Sequence, residues 1–110
     1  FVILDAAMND FMRPALYGAN HTILASKKNS SKSKKTYEFV GPICETTDKF
    51  LSTNKFQVLK EGDIVLICDV GAYGILSSNY NLRTIPQEVL IKGSKIKTIK
   101  MRQTLKALNS

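Results

Sequence analysis

The run Ile64-Val-Leu-Ile-Cys68 constrains the fold more than any other stretch of the chain. It is apolar at every position and short, which is the pattern of a strand that is buried on both faces. The turn residues Glu61-Gly62-Asp63 precede it, and Gly71 follows it closely. We therefore predict a central strand over residues 63–70, with Cys68 inside it as an inert core residue.

Further short apolar segments, separated by turn residues, predict a domain built mainly of strands. The segments cover residues 1–5, 22–26, 36–43 and 49–59, and a hairpin of residues 88–91 and 95–101 around a Lys-Gly-Ser turn. We expect the second and third of these segments to form a long hairpin. Short helical turns are expected at residues 9–17 and near the C-terminus, around Leu105 and Leu108. The pattern favours an all-β barrel or sandwich of six or seven strands with one or two short helices.

The length and the cysteine content of the chain limit the classes of protein to which it can belong. A chain of 110 residues can bury one modest core, and no repeat or second domain is visible. No apolar run is long enough to predict a membrane span. Two cysteines without metal-ligand spacing argue against a disulfide scaffold or a zinc site and favour a cytoplasmic setting. Because the chain opens in an apolar run at Phe1, we expect a domain of a longer protein.

The lysine-rich segment Lys27–Lys35 holds five of the positive charges of a chain whose formal net charge is +7. Such a cluster can bind nucleic acid. No aromatic side chain is interleaved with these lysines, as a base-stacking surface would require. A solvated loop is therefore favoured, and a non-catalytic basic β-barrel that binds nucleic acid remains an alternative.

The segment Gly41-Pro-Ile-Cys-Glu-Thr-Thr-Asp48 concentrates a thiol, two carboxylates and two hydroxyls after a Gly-Pro break. A strand over residues 36–43 would end here, so we expect Cys44 and Glu45 in a loop, where scaffolds display reactive groups. The alternative is a small buried cysteine followed by a polar turn, because most free cysteines are packing residues.

Three other side chains are candidates for contacting a ligand. Pro14 is compatible with a helix that begins at this segment, because proline is tolerated near a helix start. In such a helix Arg13 and Tyr17, which are four residues apart, would project from one face. Tyr73 lies between glycines, which let a ligand come close to the backbone. The structural alternatives are a surface arginine, a half-buried tyrosine and an aromatic corner residue. His21 is interpreted as a hydrogen-bonded structural residue rather than a ligand.

Four segments in order resemble the family of diaminopimelate decarboxylases, which are fold-type III pyridoxal-phosphate enzymes. The segments are Asp5-Ala-Ala-Met-Asn-Asp-Phe-Met-Arg-Pro-Ala-Leu-Tyr17, Gly41–Asp48, Gly62-Asp63 with Gly71-Ala-Tyr-Gly74, and Ser78-Asn-Tyr-Asn81 with Arg83 and Pro86-Gln-Glu-Val-Leu90. The resemblance implies that residues 1–110 form a single C-terminal β-barrel domain like that of alanine racemase. It also implies that an N-terminal (β/α) barrel, absent from this sequence, binds most of the pyridoxal 5′-phosphate.

The resemblance also implies a role for each candidate residue. Cys44 matches the proton donor that one subunit of a homodimer supplies to the active site of the other. Arg13, Tyr17 and Glu45 match substrate-binding residues, with Glu45 at the distal ammonium group. Tyr73 matches the tyrosine that binds the cofactor phosphate and also contacts substrate. No metal, nucleic acid or membrane partner is implied.

The implied reaction converts meso-2,6-diaminopimelate to L-lysine and CO₂. Related decarboxylases of ornithine, arginine or carboxynorspermidine remain alternatives. Ornithine decarboxylases typically carry Cys-Asp-Gly at the thiol, whereas this chain carries Cys-Glu-Thr, and Thr47 stands where the family more often has Gly or Ser. The Cys-Glu pair and the Arg-Pro-Ala-Leu-Tyr segment favour diaminopimelate. Because the cofactor lysine belongs to the absent domain, we expect the fragment alone to be inactive.

Overall fold

The computed structural model describes residues 1–30 and 32–110, and most of its regular structure is strand. The strands within these ranges are β1 (Val2–Ile3), β2 (Ile23–Ala25), β3 (Lys34–Val40), β4 (Lys49–Gln57), β5 (Val65–Ile67), β6 (Glu88–Lys92) and β7 (Lys95–Lys100). Two short α-helices accompany them, α1 (Arg13–Tyr17) and α2 (Leu105–Leu108), with single 3-10 turns at Gly74–Leu76 and Tyr80–Leu82. The predicted class, mostly strands with two short helices, is confirmed.

The strands form three small sheets rather than one. β3 pairs in parallel with β1 and antiparallel with β4, β2 pairs with β5, and β6 pairs with β7. Within the described ranges these sheets form no closed barrel. The predicted hairpin of residues 22–26 and 36–43 is wrong, because β2 lies against β5 and β3 turns back onto β4. The connections of residues 26–33 and 41–48 have the same length, so loop closure favours neither pairing, whereas the packing of Phe39 in β3 against Phe56 in β4 favours the observed one.

β5 is shorter and more exposed than its apolar sequence predicts. It covers only Val65–Ile67 and pairs on one side alone, and Leu66 on its outer face is 51% exposed. Asp69 adopts a φ of 58°, which ends the extended backbone soon after the strand. Cys68 follows the strand and is only partly buried. The predictions of a central strand over residues 63–70 and of a core Cys68 are therefore wrong.

A cluster of aromatic and aliphatic side chains forms the core, and its most buried members are Phe11, Ile23, Phe39 and Phe50. Phe39 in β3 is completely buried, and its ring packs edge-on against Phe56 of β4, with 5.2 Å between the ring centroids. Burial of a phenylalanine contributes about 1.5–3 kcal/mol. Because Phe11 comes from the segment before α1, the core also holds the start of that helix in place.

The remaining segments largely follow their predictions. The hairpin of β6 and β7 turns at Gly93, whose φ of 59° lies in the left-handed region that favours glycine. Lys34 and Lys35 begin β3, so the lysine-rich segment is only partly a loop, and its Ser31 lies outside the described residues. None of the described helices has the length and apolar character needed to cross a membrane.

Candidate active site

The loop of residues 41–48 connects β3 to β4 and exposes Cys44 and Glu45. The N–H of Gly41 donates to the carbonyl of Asp48 over 2.9 Å, and this bond closes the base of the loop. The N–H of Asp48 donates to the carbonyl of Glu45 over 3.2 Å, which tightens the turn after the thiol. The prediction that both groups are displayed where a strand ends is confirmed, and the alternative of a buried cysteine is wrong.

The carboxylate of Asp48 lies beneath this loop and is 2% exposed. Its Oδ2 accepts the N–H of Ile43 over 2.8 Å, and its Oδ1 accepts the N–H of Met8 over 2.7 Å. Because Met8 precedes α1, one side chain joins the Cys44 loop to the segment that carries Arg13. The sequence predicts no role for this carboxylate, because its burial depends on residues that are distant in the chain.

Arg13 opens α1, and its guanidinium lies against two tyrosine rings. Its Cζ is 4.3 Å from the ring centroid of Tyr73 and 5.7 Å from that of Tyr17. Pro14 stands in the first turn, where its missing N–H breaks no helical hydrogen bond. The prediction that Arg13 and Tyr17 share one face is confirmed, and the fold adds Tyr73 from a distant segment. Cation–π contacts of this kind contribute about 0.5–2 kcal/mol each.

The guanidinium of Arg13, which lies against Tyr17 and Tyr73, has a hydrogen-bond donor that no described residue uses. The Nε of Arg13 is buried and has no hydrogen-bond partner in the described part of the chain. Tyr17 and Tyr73 remain 73% and 44% exposed, so a ligand can reach them. A guanidinium held over aromatic faces keeps its charge and its planar fork of donors for a carboxylate or a phosphate. The donor set therefore fits an anionic group of a substrate or cofactor.

Residues 9 and 10 connect the same segment to the loop after Tyr73. Asn9 is fully buried, its Nδ2 donates to the main-chain carbonyl of Ser78 over 3.0 Å, and its main-chain carbonyl accepts the N–H of Ser78 over 2.9 Å. Asp10 accepts the N–H of Ala7 over 2.9 Å and lies 3.7 Å from the guanidinium of Arg83. Both residues lie in the segment Asp5–Tyr17 that carries the family resemblance, but the resemblance implied no role for them. Residues 8–10 thus join the segment that leads to Arg13 to the loop of Cys44 and to the loop that follows Tyr73.

The candidate residues fall into two groups. Arg13 contacts both Tyr17 and Tyr73, whereas Cys44 and Glu45 form no hydrogen bond or ion pair with these three residues within residues 1–30 and 32–110. The carboxylate of Glu45 accepts a hydrogen bond from the hydroxyl of Thr47 over 3.4 Å. It faces solvent without a paired cation among the described side chains. This carboxylate can therefore receive an ammonium group of a ligand.

His21 belongs to the framework of the domain. Its Nδ1 lies 3.0 Å from the carbonyl of Cys68, and its ring meets that of Phe11 edge-on with 4.6 Å between the centroids. A protonated Nδ1 can donate to that carbonyl, which links the end of β5 to the core. The interpretation of His21 as a hydrogen-bonded structural residue is confirmed.

Comparison with known proteins gives consistent matches in sequence. A family model described as the C-terminal sheet domain of pyridoxal-dependent decarboxylases matches residues 1–71. The chain is 44% identical over 109 residues to the diaminopimelate decarboxylase of Vibrio cholerae, a match that covers 98% of the chain and 26% of that protein. It is 48% identical over 106 residues to the enzyme of the same name from Neisseria meningitidis, with 96% and 26% covered.

Solved structures show the same similarity in three dimensions. The diaminopimelate decarboxylase of M. jannaschi superimposes with a TM-score of 0.88 at 38% identity, over 96% of this chain and 24% of that one. The Helicobacter pylori enzyme complexed with L-lysine gives a TM-score of 0.87 at 38% identity, over 96% and 26%. The chain therefore spans about a quarter of the length of the proteins that it matches.

Proposed function

The chain belongs to the pyridoxal-dependent decarboxylases, and on this premise we propose that it completes the active site of a diaminopimelate decarboxylase. The reaction would convert meso-2,6-diaminopimelate to L-lysine and CO₂. The similar proteins of Vibrio cholerae and Neisseria meningitidis carry this name, and the similar Helicobacter pylori structure holds L-lysine, the product of the reaction.

The whole enzyme, in this proposal, is a cytoplasmic homodimer with shared active sites. An N-terminal (β/α) barrel outside this chain carries the cofactor lysine and most of the cofactor contacts. The three open sheets then form part of a closed barrel or sandwich. This proposal is supported by the short span of the chain relative to similar proteins, and by large apolar side chains left exposed on its sheets, among them Leu24, Leu66, Ile91 and Ile96.

The observation that carries the proposal is the contact of Arg13 with Tyr73, beside a buried Nε that lacks a partner in the described part of the chain. Arg13 would grip a substrate carboxylate with paired N–H donors, and Tyr17 would flank it. The hydroxyl of Tyr73 would donate to an oxygen of the cofactor phosphate. When bound, pyridoxal phosphate supplies an electron sink for the charge left behind by the departing CO₂.

Cys44 and Glu45 would act at the two ends of the substrate. The carboxylate of Glu45 would pair with the distal ammonium group, which selects a substrate that carries one. The thiol of Cys44 would give its proton to the carbon that has lost CO₂, and the thiolate would regain a proton from water. Their exposure in the loop of residues 41–48 supports both roles, because a partner subunit can approach them there.

A related decarboxylase of ornithine or arginine is the competing function. Diaminopimelate ends in a second amino-acid group, which offers both an ammonium for Glu45 and a carboxylate for Arg13. The unpaired Nε of Arg13 favours this substrate over ornithine, which ends in a bare amine. The ratio of kcat/KM for diaminopimelate and for ornithine, measured on the full-length enzyme, separates the two functions.

Replacement of the thiol tests the proposed mechanism. In the full-length enzyme, Cys44→Ala should keep cofactor loading intact and slow turnover by about 10²–10⁴-fold, the usual contribution of a positioned general acid. The matched control is Cys68→Ala, which removes the other thiol and should leave kcat within about twofold of the parent enzyme, because the Cys68 thiol forms no hydrogen bond in the described part of the chain. Parent-like turnover by Cys44→Ala would refute the assignment.

A further inference from the structure

We propose that Asp48 is a positioning residue that sets the place of the Cys44 thiol through backbone N–H groups, without touching the substrate. The inference rests on the proposed role of Cys44 as proton donor. It concerns a side chain with no assigned role, although it is one of two buried polar or charged residues within residues 1–30 and 32–110.

Asp48 binds the loop of Cys44 through the N–H of Ile43. The Oδ2 of Asp48 accepts the N–H of Ile43 over 2.8 Å in a buried environment. Ile43 is itself buried and directly precedes Cys44, so this bond restrains the peptide that leads into the thiol residue. Hydrogen bonds to an ionised acceptor are about twice as strong as neutral ones, so the restraint is firm.

Asp48 also binds the segment that leads to Arg13, through the N–H of Met8. The Oδ1 of Asp48 accepts this N–H over 2.7 Å, and Met8 lies in the segment that leads to Arg13. The two oxygens of one carboxylate thus bind the thiol loop and the arginine segment at the same time. Asp48 therefore sets the position of the proton donor relative to the residue proposed to hold the substrate carboxylate.

Neither asparagine nor glutamate can replace this carboxylate. Asparagine has one acceptor oxygen, so its NH₂ group would face one of the two N–H donors. Glutamate is longer, and the space is already tight, because a Cβ on Gly41 would overlap the Asp48 carboxylate. We therefore expect Asp48→Asn to release one of the two segments while it keeps the size of the side chain.

The test is a double-mutant cycle in the full-length enzyme. Asp48→Asn should keep cofactor loading and lower kcat by about 10–100-fold, because a shift of about 1 Å in a reacting group can cost that much. In the Cys44→Ala background the same substitution should cause no further loss, since the group that it positions is gone. The matched control is Asp63→Asn, which replaces an exposed carboxylate that accepts the Lys60 N–H over 2.8 Å in a turn, and it should leave kcat unchanged.

Each other result decides against the proposal. An equal loss in both backgrounds would show a structural role alone. A parent-like kcat for Asp48→Asn, together with a slow Cys44→Ala enzyme, would overturn the positioning role and keep the proton donor. A parent-like Cys44→Ala enzyme would overturn both.

A measurement on the unaltered enzyme covers the case in which Asp48→Asn does not fold. The amides of Ile43 and Met8 should exchange hydrogen more slowly than those of Thr46 and Thr47, which donate to no acceptor in the described part of the chain. Equally fast exchange of all four amides would overturn the proposal.

Discussion

At the residue scale, the side chain at position 45 is where the choice of substrate would be made. Glu45 is exposed, and the hydroxyl of Thr47 is the one hydrogen-bond donor to its carboxylate among the described residues. A carboxylate in water needs no counter-ion, but a carboxylate covered by a partner domain and substrate does. Glu45 would therefore favour a ligand with a distal cation once the site is assembled.

Glu45→Gln in the full-length enzyme should lower kcat/KM for diaminopimelate and leave cofactor binding unchanged. Loss of a charge-assisted bond in a desolvated site costs roughly 2–4 kcal/mol, or about 30–1,000-fold. Steady-state kinetics and a cofactor absorbance titration measure the two effects. Glu61→Gln, at an exposed turn, is the matched control and should behave as the parent enzyme does. Unchanged kcat/KM for Glu45→Gln would remove Glu45 from the substrate site.

At the element scale, the connection of β3 to β4 depends on the glycine at its start. Gly41 follows the last residue of β3, and its N–H closes the loop onto the carbonyl of Asp48. A side chain at this position would meet the buried carboxylate of Asp48, whereas one at Gly71 would meet no atom within 4 Å. The two glycines therefore offer a matched pair for testing how tightly this loop is packed.

Gly41→Ala should lower the free energy of unfolding by about 1–3 kcal/mol, the usual cost of overpacking a tight site. Gly71→Ala should change it by less than about 0.5 kcal/mol, because the added methyl group points into open space. Urea denaturation followed by circular dichroism measures both values. If Gly41→Ala is as stable as the parent protein, the close approach of Asp48 does not restrain the loop.

At the scale of the whole molecule, the exposure of Cys44 raises the question of which active site its thiol serves. Two inactive full-length chains answer it, one with Cys44→Ala and one without the cofactor lysine of the N-terminal domain. If the sites are shared, a mixed dimer has one site with both groups and one with neither. Random pairing makes half of the dimers mixed, so about a quarter of parent activity should return.

The outcome of this mixing experiment depends on subunit exchange, which native mass spectrometry can verify. If Cys44 serves the site of its own chain, each mixed dimer has two incomplete sites and no activity returns above that of the two variants. No recovery despite proven exchange would contradict shared sites and leave the proton-donor role open.

The sequence by itself determined the class of the fold, the family and the functional groups that are available to the site. Short apolar segments between turn residues indicate strands, and the Gly-Pro break indicates the exposed loop of Cys44, because these signals act over a few neighbouring residues. The spacing of Arg13 and Tyr17 predicts their common face for the same reason.

Only the tertiary structure decided which segments meet. The pairing of β2 with β5, the contact of Tyr73 with Arg13 and the burial of Asp48 each join residues far apart in the chain. An apolar run such as residues 64–68 has the same local preferences in a central strand and in an edge strand, so its partners set its burial. From the sequence alone Asp48 is predicted to be an ordinary turn residue. In the structure its carboxylate is buried between the N–H groups of Met8 and Ile43, because burial is a property of the packed molecule and not of the residue.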